Sequence, residues 1–297
     1  MQANITAQAG PSADDVRRHV REMWATVANG WEAHADFVES RGAEITRQML
    51  DAAAPRPGHR VLEVACGAGD VGLAAARVVA PGQVVVSDVA AEMTAIAARR
   101  AASRGLANVV TATFGVEAID AADASFDVVL CREGLMFAAD AGLAAREMAR
   151  VLRPGGSIAV AVWGPRHENP WLGLVLDAVS TQLGRPIPPP GVPGPFALAD
   201  AAAVEQLFVA SGFTAVSVRP IAVPLVAPSF DEWWRRVSAL AGPLTTILAG
   251  LTESARRELR TRLLAASLPY EATDGSLLFP GQALLASGRR VEGARDE

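Results

Sequence analysis

The feature that most constrains this chain is a series of short apolar runs separated by helical or glycine-rich stretches. Val61–Ala65, Val84–Ser87, Val109–Thr113, Phe126–Cys131 and Ser157–Trp163 are apolar on successive residues rather than alternate ones. Strands of that kind need cover on both faces, which predicts a parallel sheet packed between helices. The cover comes from helical stretches at Val71–Val79, about Ala91–Arg104 and about Gly142–Val151. Thr214–Val223 and Ala283–Ser287 read as two further strands. The expected architecture is α/β, a doubly wound, seven-stranded, mostly parallel sheet.

The flanking segments are distinctive. Ser12-Ala-Asp-Asp15 fits a capping box, followed by Val16, Val20, Met23, Val27 and Trp31 at helical spacing. Residues 12–52 therefore read as amphipathic helices, closed by Pro55-Arg-Pro-Gly58. Arg153-Pro-Gly-Gly156 reads as a turn, and the prolines of 187–195 as an extended loop. Asp200–Ser211 is an expected helix stopped by Gly212, and residues 229–266 look helical, with Trp233 and Trp234 among them.

Composition removes several chemistries. All 27 basic residues are arginine, so no P-loop or Schiff-base lysine exists. Two cysteines provide neither a cysteine zinc site nor a disulfide framework. The net charge of −5 implies no nucleic-acid surface. No apolar stretch reaches membrane-spanning length, and Met1–Thr6 lacks the basic start of a signal peptide. A soluble, cytoplasmic protein is expected.

Gly67-Ala-Gly69-Asp-Val-Gly72 follows the first strand and opens a helix, a turn that aims backbone N–H groups at a ligand. Asp88 closes the second strand, 25 residues beyond Glu63, where a carboxylate can accept both hydroxyls of a ribose. An adenosine-containing cofactor is implied.

Val61-Leu-Glu-Val-Ala-Cys-Gly-Ala-Gly69, Phe126-Asp-Val-Val-Leu-Cys-Arg132 and Val151-Leu-Arg-Pro-Gly-Gly-Ser-Ile-Ala-Val160 occur in an order and spacing that resemble the class I S-adenosylmethionine-dependent methyltransferases. The similarity spans about residues 60–163, has a Rossmann-like sheet as its fold, and is nearest in flavour to the ubiquinone/menaquinone C-methyltransferase-like group. It implies S-adenosyl-L-methionine as cofactor and a small-molecule methyl acceptor as partner. It also implies roles by position. Glu63 and the Ala65, Cys66, Gly67 and Gly69 backbone would hold the methionyl end, and Asp88 the ribose. Val89 and Met93 would pack on the adenine, Val116 would donate its N–H to the ring, and Cys131 and Arg132 would lie near the methionyl group. Trp31 would line the cofactor entrance. Two positions depart from the pattern: Ala65 replaces the usual first glycine, and Gly115 replaces the usual aspartate for the adenine amine, a role that Glu117 is expected to take.

No strong catalytic constellation is visible, and methyl transfer needs none, because positioning alone can supply up to about 7–11 kcal/mol. Glu133 and His167, after the fourth and fifth strands, are the candidate bases, with His34 behind them; each is equally explained as an exposed loop or helix residue. Arg235 and Arg236 are most simply solvated. The expected organisation is one domain over 1–297: a helical lid at 1–55, the cofactor-binding core at 56–224, a helical substrate cap at 225–275, and a last strand and tail at 276–297. The cap's apolar character suggests an aromatic or polyketide-like acceptor methylated at carbon or oxygen, as in secondary metabolism. Two other readings stay open, a protein that binds the cofactor without transferring methyl and a nicotinamide-dependent oxidoreductase. The latter lacks a Tyr-x-x-x-Lys pair. Association as a homodimer is also left open.

Overall fold

The computed structural model describes residues 12–190 and 192–291. The expectations for Met1–Thr6 and for the tail at 292–297 fall outside them. Helices α1 (Ala13–Ala33) and α2 (Ala35–Ala53) come first, and Ser12 caps α1 by accepting from the Asp15 N–H at 3.2 Å. The alternation then runs β1 (Val61–Glu63), α3 (Asp70–Val79), β2 (Val84–Asp88), α4 (Ala91–Ser103), β3 (Val109–Thr113), β4 (Phe126–Arg132), α5 (Ala141–Val151) and β5 (Leu152–Trp163). After it come α6 (Pro170–Leu183), α7 (Ala201–Ala210), β6 (Phe213–Ala222), β7 (Leu225–Ala227), α8 (Phe230–Leu240), α9 (Gly242–Gly250), α10 (Glu253–Ser267), β8 (Leu277–Phe279) and β9 (Gln282–Arg290).

Seven strands form one sheet in the order β3-β2-β1-β4-β5-β9-β6, in which β9 alone is reversed, running antiparallel to both its neighbours β5 and β6. The central strands β1 and β2 are buried at every position, as their unbroken apolar runs require. The edge strands β3 and β6 are partly exposed, and β6 carries Pro220, a residue sheets accept at an edge. The order reverses between β1 and β4. Their carboxyl ends are where such sheets place a ligand.

Three local expectations change. Arg153–Gly156 is not a separate turn but the start of β5. Between the pairs Phe126–Leu152 and Val128–Ser157, one residue of β4 faces four of β5, and the excess bulges out through Gly155 at φ 74°. Helix α6 was not anticipated, because its apolar residues leave no polar stripe to show a helical period. Its ends were nevertheless marked, by Pro170 in the first turn and by Gly184 at φ 64° after the last. The small β7–β8 pair was likewise unseen, being only three residues per strand.

A second apolar cluster lies beside the sheet. It joins α6 to α8, α10, β7 and β8 around the fully buried Trp233, whose ring centroid lies 4.8 Å from that of Phe279. Thus α6, which the sequence places inside the 56–224 core, packs with the segment expected as a cap. Asn169 links the two clusters. Fully buried, its side-chain amide donates to the carbonyls of Gly164 (3.3 Å), Pro165 (3.1 Å) and Gln282 (2.9 Å). Its oxygen accepts from the Gln282 N–H (3.0 Å) and the Trp171 indole (3.3 Å).

Among the described residues no helix is long and apolar enough to cross a membrane. Replacing Asn169 with alanine takes the partner from the Gly164 carbonyl and the Gln282 N–H at once, while the Pro165 and Gln282 carbonyls keep the Glu168 and Gly164 N–H groups; each stranded group is worth about 1–3 kcal/mol. The expected loss in Asn169→Ala is about 3 kcal/mol or more, read from the denaturant midpoint; an unchanged midpoint would show that the two clusters are joined by other means.

Candidate functional site

At the carboxyl edge of the sheet lies a cavity of about 870 Å³, toward the upper end of the ~300–1,000 Å³ usual for ligand sites. The ends of β1, β2, β4 and β5 form its floor. Helices α1, α2, α6, α8 and α9 and the proline-rich loop form its walls.

The turn after β1 is built by its backbone. Gly67 and Gly69 have φ values of 52° and 86°, the left-handed region glycine enters freely. Ala65 also takes φ 51°, at a cost of about 1 kcal/mol for a residue with a Cβ. Its methyl group is accommodated by Gly134, where an added Cβ would lie only 2.3 Å away. Asp88 braces the same turn: one carboxylate oxygen accepts from the Gly67 N–H at 2.9 Å and the other from the Ala90 N–H at 3.0 Å. Burial pushes the Asp88 carboxyl up, against those bonds. Glu63 accepts from the Gly72 N–H at 2.7 Å, and burial raises its carboxyl to about 8.

Of the residues singled out from sequence, Trp31, Glu63, Ala65, Cys66, Gly67, Asp88, Val89, Met93, Val116, Glu117, Arg132 and Glu133 line this one cavity. Gly69, Cys131 and His167 are not among its lining residues. Gly69 caps α3 instead. Cys131 is fully buried, and desolvation pushes its thiol up to about 12, so it is inert at neutral pH. His167 corrects the expectation of a base after β5: its side chain is 79% exposed and meets only Glu168, at 3.4 Å. His34 is also absent from the lining; burial and the nearby Arg235 and Arg236 push its imidazole down.

Several expected roles are altered by the partners found. Arg132 touches the cavity, but its guanidinium is held by Asp70 at 2.6 Å and by Thr46 at 2.9 Å. Glu117 accepts from the Asp140 N–H at 2.8 Å and from Arg17 at 3.3 Å, both on the same oxygen, which ties α1 to this loop. An added Cβ at Gly115 would meet only Val89, at 3.7 Å, so the space of the missing aspartate is open. Trp31 presses on the turn, with its ring 3.3 Å from an added Cβ at Gly67, while its indole N–H donates to the Leu240 carbonyl at 3.1 Å. Arg236, expected to be solvated, lies 4.1 Å over the Phe37 ring and pairs with Glu232.

In the far half of the cavity Glu133 was singled out from sequence, but its neighbours Arg41 and Trp171 were missed. Arg41 pairs with Glu133 at 2.9 Å and stacks over Trp163 and Trp171 at 4.9 and 5.5 Å. Trp233 joins this wall, its indole donating to the Trp171 carbonyl at 3.0 Å. These residues come from four elements far apart in the chain, so no local motif announced them.

The Glu63 carboxyl gives a pH test. Its folded value lies above the ordinary 4.5, so the folded chain keeps a proton that the unfolded chain releases. Stability from this group is complete below about 4.5 and declines as pH rises through about 8. The Glu63→Gln chain, neutral throughout, is expected to gain melting temperature over the parent between pH 5 and 8. A parallel pair of melting curves across that range would place Glu63 in a polar, charge-compatible setting instead.

Comparison with known proteins agrees with this geometry. Residues 61–156 match the family model described as a methyltransferase domain. The chain is 30% identical over 173 residues to the ubiquinone/menaquinone biosynthesis C-methyltransferase UbiE of Cellvibrio japonicus, covering 57% of this chain and 69% of that protein. It is 37% identical over 143 residues to the uncharacterized protein Rv1405c of Mycobacterium tuberculosis, a match spanning 48% of this chain and about half (49%) of the relative. The YcgJ protein of Bacillus subtilis has a similar fold, with a TM-score of 0.57, 24% identity, and coverage of 84% of this chain and 98% of that one. Sheet order, glycine turn and sequence thus agree: the chain belongs to the class I S-adenosylmethionine-dependent methyltransferases, in their ubiquinone/menaquinone C-methyltransferase-like group.

Proposed function

We propose that this S-adenosylmethionine-dependent methyltransferase acts on carbon or oxygen of an apolar small molecule, aromatic or polyketide-like in shape. One observation carries the reading: a single cavity runs from the glycine turn and Asp88 to a chamber walled by Trp163, Trp171, Trp233 and Phe37. Flat aromatic walls with few charges favour a flat apolar ligand.

The residues present suit the cofactor. The left-handed glycine at 67 and the buried Asp88 carboxylate form a cradle for an adenosine ribose, and the open space at Gly115 leaves room at the adenine edge. When bound, the cofactor supplies an electrophilic methyl group. On this reading Asp88 takes the ribose hydroxyls, Val89 and Met93 pack beside the base, and the Val116 N–H reads the ring. Glu63 and the 65–69 backbone hold the methionyl end. Glu117, engaged as it is, serves the adenine amine at most through its second oxygen. Arg132 acts by holding α2 over the site. Glu133 is the base the cavity offers. Residues 1–55 act as a lid, through Trp31, and residues 225–275 with α6 as the acceptor cap. The substrate-side preference, a role in secondary metabolism, a cytoplasmic location and dimerisation belong to this reading.

Incubation with labelled S-adenosylmethionine and a panel of hydroxylated aromatics tests it. Methylated product from at least one apolar acceptor is expected. Cofactor binding with no transfer to any of them would favour a binding protein without transferase activity. Asp88→Asn keeps one acceptor for the two N–H groups it now braces and loses the charge; it is expected to weaken cofactor affinity by roughly 10- to 100-fold in calorimetry. Gly115→Asp, which adds an acceptor in open space, is expected to tighten binding by roughly tenfold. An unchanged affinity there would mean that the loop reads adenine through its backbone alone.

A further inference from the structure

The Arg41–Glu133 pair is incomplete. Both side chains are about nine-tenths buried, at 9% and 10% exposure, and one bond joins them, between Arg41 Nη2 and Glu133 Oε2 at 2.9 Å. A guanidinium and a carboxylate can form two parallel bonds. Here the other two atoms, Arg41 Nη1 and Glu133 Oε1, are buried without a hydrogen-bond partner among the described residues. Buried polar atoms left unpaired are costly and need an explanation. This one has a direction, because one orphan is a donor, the other an acceptor, and both residues line the cavity.

The surroundings hold the pair rigid. The Arg41 guanidinium lies over Trp163 and Trp171, and Trp171 is itself fixed by the buried Asn169. Glu133 adopts φ 58°, a strained conformation for a residue with a side chain, and its N–H donates to the Ala161 carbonyl at 2.7 Å. Gly134, the next residue, abuts the Ala65 methyl, so Glu133 stands beside the glycine turn, at the junction of the cofactor cradle and the aromatic chamber.

The smallest group that completes both orphans is a hydroxyl, which accepts and donates at one oxygen. We propose that Arg41 and Glu133 form the seat for the phenolic or enolic hydroxyl of the methyl acceptor. Arg41 Nη1 donates to the hydroxyl oxygen, and the hydroxyl donates to Glu133 Oε1. As the acceptor ionises, the O–H bond breaks, its electron pair stays on the acceptor oxygen beside the Arg41 cation, and the proton passes to Glu133. The carboxylic acid then returns it to water at the cavity mouth. This rests on the reading of the chamber as the acceptor site, but not on which acceptor atom is methylated.

The test is binding of 1-naphthol and of 1-methoxynaphthalene, which keeps the oxygen but not the donor, to the full chain saturated with S-adenosylhomocysteine. Calorimetry should show 1-naphthol favoured at least tenfold in the parent, the size of one charge-assisted hydrogen bond. Glu133→Gln and Arg41→Met should each reduce that preference below about threefold while keeping S-adenosylhomocysteine affinity and a cooperative melt. If Arg41→Met does not fold, Glu133→Gln alone decides. The proposal is overturned if the parent shows no preference, including no binding of either naphthalene, or if the preference persists in a folded Glu133→Gln. Failure to bind S-adenosylhomocysteine at all would instead strike at the methyltransferase reading, so the two failures are distinct.

Discussion

A buried carboxylate shared by two guanidiniums holds this molecule's working parts in register. Asp70, 3% exposed at its side chain, opens α3 and takes Arg132 from the end of β4 on one oxygen and Arg100 from α4 on the other. Arg132 reaches on to Thr46 and the Gly42 carbonyl of α2, and Arg100 to Glu39 of the same helix. Such a network adds little net stability over apolar packing, but removing one partner leaves a buried charge uncompensated at a cost of about 3–5 kcal/mol. It gives position instead. Helix α2 is fixed over the carboxyl edge of the sheet at one rotation, and α2 carries Phe37, Val38 and Arg41 into the cavity.

The absence of lysine takes on meaning in this light. The guanidiniums of Arg132 and Arg100 each serve several acceptors, and others sit over aromatic rings, as Arg41 does over two tryptophans and Arg236 over Phe37. An ammonium is a point charge with neither geometry. The arginines join elements distant in sequence, such as α2 to α4 and α1 to the loop after β3, where apolar contact alone is less specific in direction.

How much of this was legible in the sequence depended on distance along the chain. The strands were legible because buried parallel strands announce themselves within five residues, and the cofactor side of the cavity because its residues sit at the ends of those strands. Asp88, Glu63 and Gly67 need only local motif and order. The far side is assembled from Arg41, Trp171, Trp233 and Glu133, on elements as far apart as residues 41 and 233, and only packing unites them. Helix α6 escaped because a helix buried on nearly all sides has no period to read, although its proline and glycine ends were in view. His167 misled because strand-end position suggests a site without saying which way the loop turns. Glu117 shows another limit: its place in the loop after β3 was readable, but a carboxylate near a helix N-terminus and an arginine finds partners of its own.

The fit between Ala65 and Gly134 bears on how a lineage with this turn can vary. The methyl group at 65 occupies the room that the missing side chain at 134 leaves free, so the two positions are one unit of volume divided between two codons. A chain with glycine at 65 is released from its left-handed strain and leaves a Cβ at 134 only the Cys131 Sγ, at 3.0 Å, to accommodate, whereas a side chain at 134 arriving first meets the alanine as well. Substitutions there have an order, and the route between this turn and the all-glycine form runs through position 65 before position 134. Because residue 134 follows Glu133 in the cavity wall, a change that begins in the turn after β1 opens or closes the range of side chains available on the cavity's far side.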